Sequence, residues 1–160
     1  AQARAMREPR FVTREQVNAI HRLSLELHGG QDGVRNEHGL ESAIALPRRA
    51  FHYGQGDLFD LAAGYAYHLA ENQPFLDGNK RTAISTALVF LELNGVATSA
   101  VTNSRLHDAM IAIAEKRLDK AGLAALLRSQ LSHENHPASL SIGPRPRRAP
   151  ARRLRPGDRG

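Results

Sequence analysis

Residues 73–81 read Gln-Pro-Phe-Leu-Asp-Gly-Asn-Lys-Arg, and their types suit the handling of a phosphate. Asp77 offers the hard carboxylate oxygen that can hold a divalent cation bridging phosphates. Gly78 lets the backbone approach a ligand closely. Asn79 either fixes the loop or meets a phosphate oxygen, and Lys80 and Arg81 add two cationic donors. The stretch lies between two helical patterns, so its end is a helix N-terminus, where free N–H groups and the helix dipole attract an anion. Two cations there oppose the dipole and cost about 0.3–1 kcal/mol each unless an anion is bound. The same residues are also ordinary turn chemistry, an Asp-Gly-Asn turn followed by solvated charges. Spacing alone leaves both readings standing.

The flanking elements must place this loop. Thr13-Arg14-Glu15-Gln16 is a capping box, and Val17, Ile20, Leu23 and Leu27 follow at helical spacing until Gly29-Gly30, which predicts a first helix burying that face. After the loop GGQDGVRNEHG, Leu40, Ala43 and Ile44 mark a short helix that Pro47 should stop or bend. From Asp57, a suitable N-cap, Leu58, Leu61, Ala62, Tyr65 and Leu69 form the inward stripe of a helix reaching about Glu71. Phe75 should anchor the loop in the core. Ile84, Ala87, Leu88 and Leu91 then mark a helix closed by Asn94-Gly95 and apolar enough to be central. VATSAV, residues 96–101, is β-prone. Ser104 should cap a helix carrying Leu106, Met110 and Ile113, and a last helix should run from about Asp119 through Leu123, Leu126 and Leu127 to Leu131. The class is all-α: a compact bundle of five to six helices around a central helix, with at most a minor β-hairpin and no internal repeat.

At 160 residues the chain has room for one domain and a tail. The reading is a flexible N-terminus over 1–9, a helical domain over 10–132 and a disordered Arg/Pro-rich tail over 133–160, which lacks the apolar side chains to offset its ordering entropy. The formal charge of +6 sits in that tail: from Pro137 onward the charged residues are Arg145, Arg147, Arg148, Arg152, Arg153, Arg155, Arg159 and Asp158. The body is neutral, and nucleic-acid binding, if any, would be weak and confined to the tail, with an inert extension as the other reading. There is no cysteine, which excludes disulfides, thiolate metal sites and a cysteine nucleophile. No apolar run approaches the roughly 18 residues that span a bilayer, and AQARAMREPR has no signal-peptide core. A cytoplasmic protein without membrane contact is expected.

The loop resembles the signature of the Fic/Doc family: histidine, proline or another residue, phenylalanine, any residue, an acid, a small residue, asparagine, glycine or lysine, arginine. Here it stands as Gln73 to Arg81. FVTREQVNAIHRL, GGQDGVRNEHGLESAIALPRRAF, DLFDLAAGYAYHLAENQPF and RTAISTALVFLELNGV are similar to the death-on-curing branch in the same order, over roughly residues 10–131. AMP-transferring members usually carry glycine where Lys80 stands and a second arginine where Ile84 stands, so the resemblance is to the death-on-curing branch. It implies an ATP- and Mg²⁺-dependent kinase toxin that phosphorylates a translation elongation factor, held by a separate antitoxin whose tail folds as a helix in a groove. By the same resemblance Asp77 holds Mg²⁺, Gly78 and Asn79 line the nucleotide's phosphate site, and Lys80 and Arg81 bind the nucleotide and stabilise the transferring phosphoryl group.

The family's first motif residue is a histidine that takes the proton of the attacking hydroxyl, and here it is Gln73. An amide does not titrate, so Gln73 can orient a hydroxyl by accepting its hydrogen bond but cannot act as the base. The expected loss is roughly 10²- to 10⁴-fold, at the low end for a loose phosphoryl transition state. A weakly active toxin, a silent nucleotide- or partner-binding module, an introduced detoxifying change and AMP transfer are the readings this leaves. His68, five residues earlier, is the nearest other base but does not share a helix face with Gln73. His21, His28, His38, His52 and His107 lack metal-ligand spacing, Tyr65 and Tyr67 read as packing residues, and GQGD at 54–57 as a turn.

Overall fold

The computed structural model describes residues 7–131; residues 1–6 and 132–160, and with them the tail read as disordered, lie outside it. Six helices follow in order: α1 Arg14–His28, α2 Glu37–His52, α3 Leu58–Asn72, α4 Asn79–Leu93, α5 Asn103–Ala114 and α6 Lys120–Leu131. The capping signals act as expected. Thr13 and Gln16 form a reciprocal capping box at α1, and Asp57 accepts from the N–H groups of Phe59 and Asp60 at α3. Burial pushes the Asp57 carboxyl up, but hydrogen bonds from Arg128 and the Asp60 backbone outweigh it and hold the carboxyl below its usual range. Arg128 grips Asp57 through Nε at 3.0 Å and Nη2 at 3.1 Å, tying α6 to the start of α3.

The central helix is α3, which packs on α2, α4, α5 and α6, whereas α4, the helix expected at the centre, packs on α1, α3 and α5. The reason lies in the α3 sequence: Leu61, Ala62, Ala63, Gly64, Tyr65, Ala66 and Leu69 are all buried, and their small members allow close approach on several sides. Tyr65 is packed against Phe90, its ring centroid 5.2 Å away. Its hydroxyl accepts from the Val12 N–H at 3.1 Å, and burial pushes its pKa up to about 12.

Four local expectations change. α1 buries Val17 as expected, together with His21 and Ser24, but Ile20 is half-buried and Leu23 and Leu27 are 54% and 68% exposed, so the C-terminal part of its apolar stripe faces outward. α2 continues past Pro47 to His52; the buried proline ring lies against Gly64, and this packing outweighs the missing backbone hydrogen bond. Residues 96–101 form no strand, 96–98 being irregular and 99–101 a turn, and the isolated bridge among the described residues pairs Val34 with Phe75. Thr102, not Ser104, caps α5, accepting from the Arg105 N–H at 3.2 Å. Among the described residues no helix is long and apolar enough to cross a membrane.

Candidate functional site

The loop from α3 to α4 starts where α3 stops. Gln73 caps that helix in the left-handed conformation (φ 43°, ψ 57°), its N–H donating to the Leu69 carbonyl. This conformation is uncommon outside glycine, and here it turns the chain sharply out of the helix and sends Pro74 and Phe75 into the core. At the other end Gly78 stands at φ 81°, as N-cap of α4, with no side-chain cap. Among the described residues no side chain caps the free N–H groups of that first turn, which leaves them open to an anion. Asn79 folds back across the loop: its Oδ1 accepts from the Phe75 N–H and its Nδ2 donates to the Phe75 carbonyl, both at 2.9 Å. Asn79 thus fixes the loop, and it also lines the adjoining cavity.

That cavity has a volume of about 540 Å³ and brings together Gln73, Asp77, Gly78, Asn79, Lys80 and Arg81, the residues to which the family resemblance gave site roles. Its lining also includes the apolar Ile84, Met110, Ile113 and Ala114, and the polar His107, Glu71 and Lys116. Lys116 holds a left-handed backbone (φ 61°) and pairs with Glu71 at 2.9 Å, which raises the lysine pKa. Among the described residues neither Lys80 nor Arg81 has a carboxylate at ion-pair distance, so both cations are available to a ligand.

The sequence reading missed the segment that holds the loop from outside. Residues 30–36 run along it as a strap: Val34 bridges to Phe75, the N–H groups of Arg35 and Asn36 donate to the Pro74 carbonyl at 2.7 and 3.1 Å, and Leu76 N–H donates to Gly33 at 3.0 Å. The Gln31 N–H donates to Asp77 Oδ2 at 2.7 Å, fixing the carboxylate while leaving Oδ1 without a hydrogen-bond partner among the described residues. Glycine is required at position 30, where φ is +120° and a Cβ would stand 3.0 Å from that of Asp77. From below, His21 Nε2 donates to the Asp77 carbonyl at 2.8 Å. The only advance signals were the strap's glycines and a histidine on an apolar face.

The donor set can be tested against Mg²⁺. Among the described residues no three His, Cys, Asp or Glu side chains cluster as a complete metal site. One carboxylate with a free oxygen fits an ion that keeps its waters and is held by substrate phosphates, as Mg²⁺ usually is. His68 stands apart: it lines a separate cavity with Pro47, Asp60 and Lys120, and does not line that of Gln73.

A second groove of about 540 Å³ runs between α1, α4 and α5, lined by Ile20, Leu23, Leu27, Ile84 and Val89. Arg81, Ile84 and His107 are common to its wall and to that of the first cavity.

Comparison with known proteins agrees with this architecture. The model of the Fic/DOC family matches residues 11–91. The chain is 30% identical over 120 residues to "Protein kinase doc" of Escherichia phage P1, covering 74% of this chain and 94% of that protein. It is 39% identical over 103 residues to "Toxin Doc" of Mycolicibacterium smegmatis, covering 62% of this chain and 78% of that one. With the family model matching half of the chain and the first of these relatives matched over nearly its whole length, the chain belongs to the Fic/DOC family, in the branch of the Doc proteins.

Proposed function

We propose that this protein is the toxin of a toxin–antitoxin pair and that its loop cavity transfers the γ-phosphoryl group of ATP to a hydroxyl of a translation elongation factor, at a rate reduced by Gln73. The observation that carries this reading is the joint lining of one cavity by Asp77, the α4 N-terminus, Lys80, Arg81 and Gln73. It is supported by the kinase and toxin named among the relatives.

In this reading the acceptor oxygen bonds to the γ-phosphorus, the bond from that phosphorus to the bridging oxygen breaks, and ADP leaves. Mg²⁺, when bound, neutralises phosphate charge, with Asp77 as its protein ligand. The backbone N–H groups at Gly78 and Asn79 receive phosphate oxygens, while Lys80 and Arg81 stabilise the charge spread over the loose transition state. The hydroxyl proton passes to water, since the Gln73 amide cannot take it.

The antitoxin is a separate protein whose apolar helix lies in the α1/α4/α5 groove. Leu23 and Leu27, half to two-thirds exposed on one helix face, present the spaced anchors such a helix requires.

The test is incubation with an elongation factor, Mg²⁺ and ATP labelled at the γ or the α position, before and after Gln73→His. Transfer of γ label, increased roughly 10²- to 10⁴-fold by the histidine, is expected. Transfer of α label would instead identify AMP transfer, and a histidine form that labels nothing would refute the kinase reading. Gln73 itself favours a second reading, a nucleotide-binding module without turnover; measurable turnover by the unaltered protein excludes it.

A further inference from the structure

Gln73 is reached from the strap by a guanidinium. Arg35 Nη2 donates to the Gln73 backbone carbonyl at 2.9 Å and to the side-chain Oε1 at 3.3 Å. A guanidinium carries donors only, so the amide atom that meets it is the oxygen; the reversed amide would set NH₂ against a cation. The Gln73 NH₂ has no partner among the described residues, and Gln73 lines the nucleotide cavity. The geometry is held at several points. The Gln73 backbone is fixed by its cap to Leu69, and Arg35 is fixed by its own N–H on the Pro74 carbonyl at 2.7 Å.

We propose that Arg35 is a positioning residue that commits Gln73 to act as a hydrogen-bond donor. With the oxygen held and polarised by the guanidinium, the amide presents N–H to the cavity, where it binds an oxygen of the nucleotide's phosphate chain. Position 73 then belongs to the anion site with the α4 N-terminus, Lys80 and Arg81, and does not serve to orient an acceptor hydroxyl through its own oxygen. This reverses the hydrogen-bond sense expected from the sequence, where Gln73 accepts from a hydroxyl. The proposal rests on the nucleotide reading of the cavity.

The test uses the ¹⁵N-labelled protein, with the Gln73 side-chain NH₂ signals identified by their loss in Gln73→Ala, titrated with a non-hydrolysable ATP analogue and Mg²⁺. The Gln73 NH₂ signals should shift on binding. Arg35→Ala should reduce that shift and weaken binding by roughly three- to tenfold, the share of one neutral hydrogen bond. In the Gln73→Ala background Arg35→Ala should cost less than about twofold, because the side chain it positions is gone. An equal loss in both backgrounds overturns the proposal, since it would make Arg35 a backbone staple or a remote charge. Should the unaltered protein bind no nucleotide at all, the functional reading fails instead. The orientation is then judged in the free protein, where Gln73 NH₂ signals unmoved by Arg35→Ala overturn it.

Discussion

The imidazole of His21 lies flat on the ring of Phe75, with centroids 3.8 Å and planes 10° apart, while its Nε2 donates to the Asp77 carbonyl at 2.8 Å. One buried side chain of α1 thus supports both the apolar anchor and the acidic residue of the loop. The donor nitrogen must carry the proton, because its partner is a carbonyl.

His21→Ala should lower the unfolding free energy by about 2–4 kcal/mol, from lost stacking, a lost hydrogen bond and a residual cavity. His21→Phe keeps the stack and leaves the Asp77 carbonyl unpaired, so it should cost about 1–3 kcal/mol. Urea unfolding separates the two. Equal stability of His21→Phe and the parent would show that the hydrogen bond contributes nothing.

Asp77→Asn keeps an oxygen for the Gln31 N–H and removes the charge that would hold a cation. Nucleotide affinity should fall on the order of tenfold, about 1.4 kcal/mol, in the presence of Mg²⁺ and change little in its absence. Lys80→Ala should weaken binding under both conditions. Calorimetric titration with and without chelator makes the comparison, and an identical loss for Asp77→Asn in both would remove Asp77 from the metal role.

Leu27 is 68% exposed, so Leu27→Glu should alter stability by less than about 0.5 kcal/mol. If the groove holds the antitoxin helix, the same change should weaken the complex by about tenfold or more, as loss of an apolar anchor does. Co-purification and titration with the antitoxin decide it; undiminished affinity would place the partner elsewhere.

Thr86 is fully buried on α4 and its hydroxyl has no hydrogen-bond partner among the described residues. Thr86→Val replaces an unpaired polar group by a methyl of the same shape and should stabilise the fold by about 1 kcal/mol. A lower melting temperature would mean that the hydroxyl is satisfied, for example by a water.

Burial, and then the nearby Lys120, push the His68 pKa below its ordinary 6.5, with Glu71 opposing. The unfolded chain therefore binds more protons than the folded one between the folded pKa and 6.5. Stability should be full above 6.5 and be lost as the pH falls through that window. His68→Gln, measured beside the parent, should flatten this part of the melting curve against pH. An unchanged slope would show that His68 is solvated.

Local signals determined much of this protein. Thr13 with Gln16, Asp57 with Asp60, and Gly78 each act through backbone groups within three residues, so sequence spacing contains all the geometry they need. The same holds for the cavity's reactive rim, since Asp77 to Arg81 are consecutive and sit on one turn. Tertiary structure decided the rest, because it depends on which surfaces meet. Of the α1 stripe, Val17 is buried but Ile20, Leu23 and Leu27 line a groove, and the helix buries His21, against the loop, and Ser24 instead. Pro47 stays within α2, where its buried ring packs against α3 at Gly64. Arg35 meets Gln73 across 38 residues and His21 meets Asp77 across 56, and no periodicity records such pairs. The chain's spacing thus specifies which groups the loop carries, while their orientation, above all the sense of the Gln73 amide, follows from side chains that only folding brings beside it.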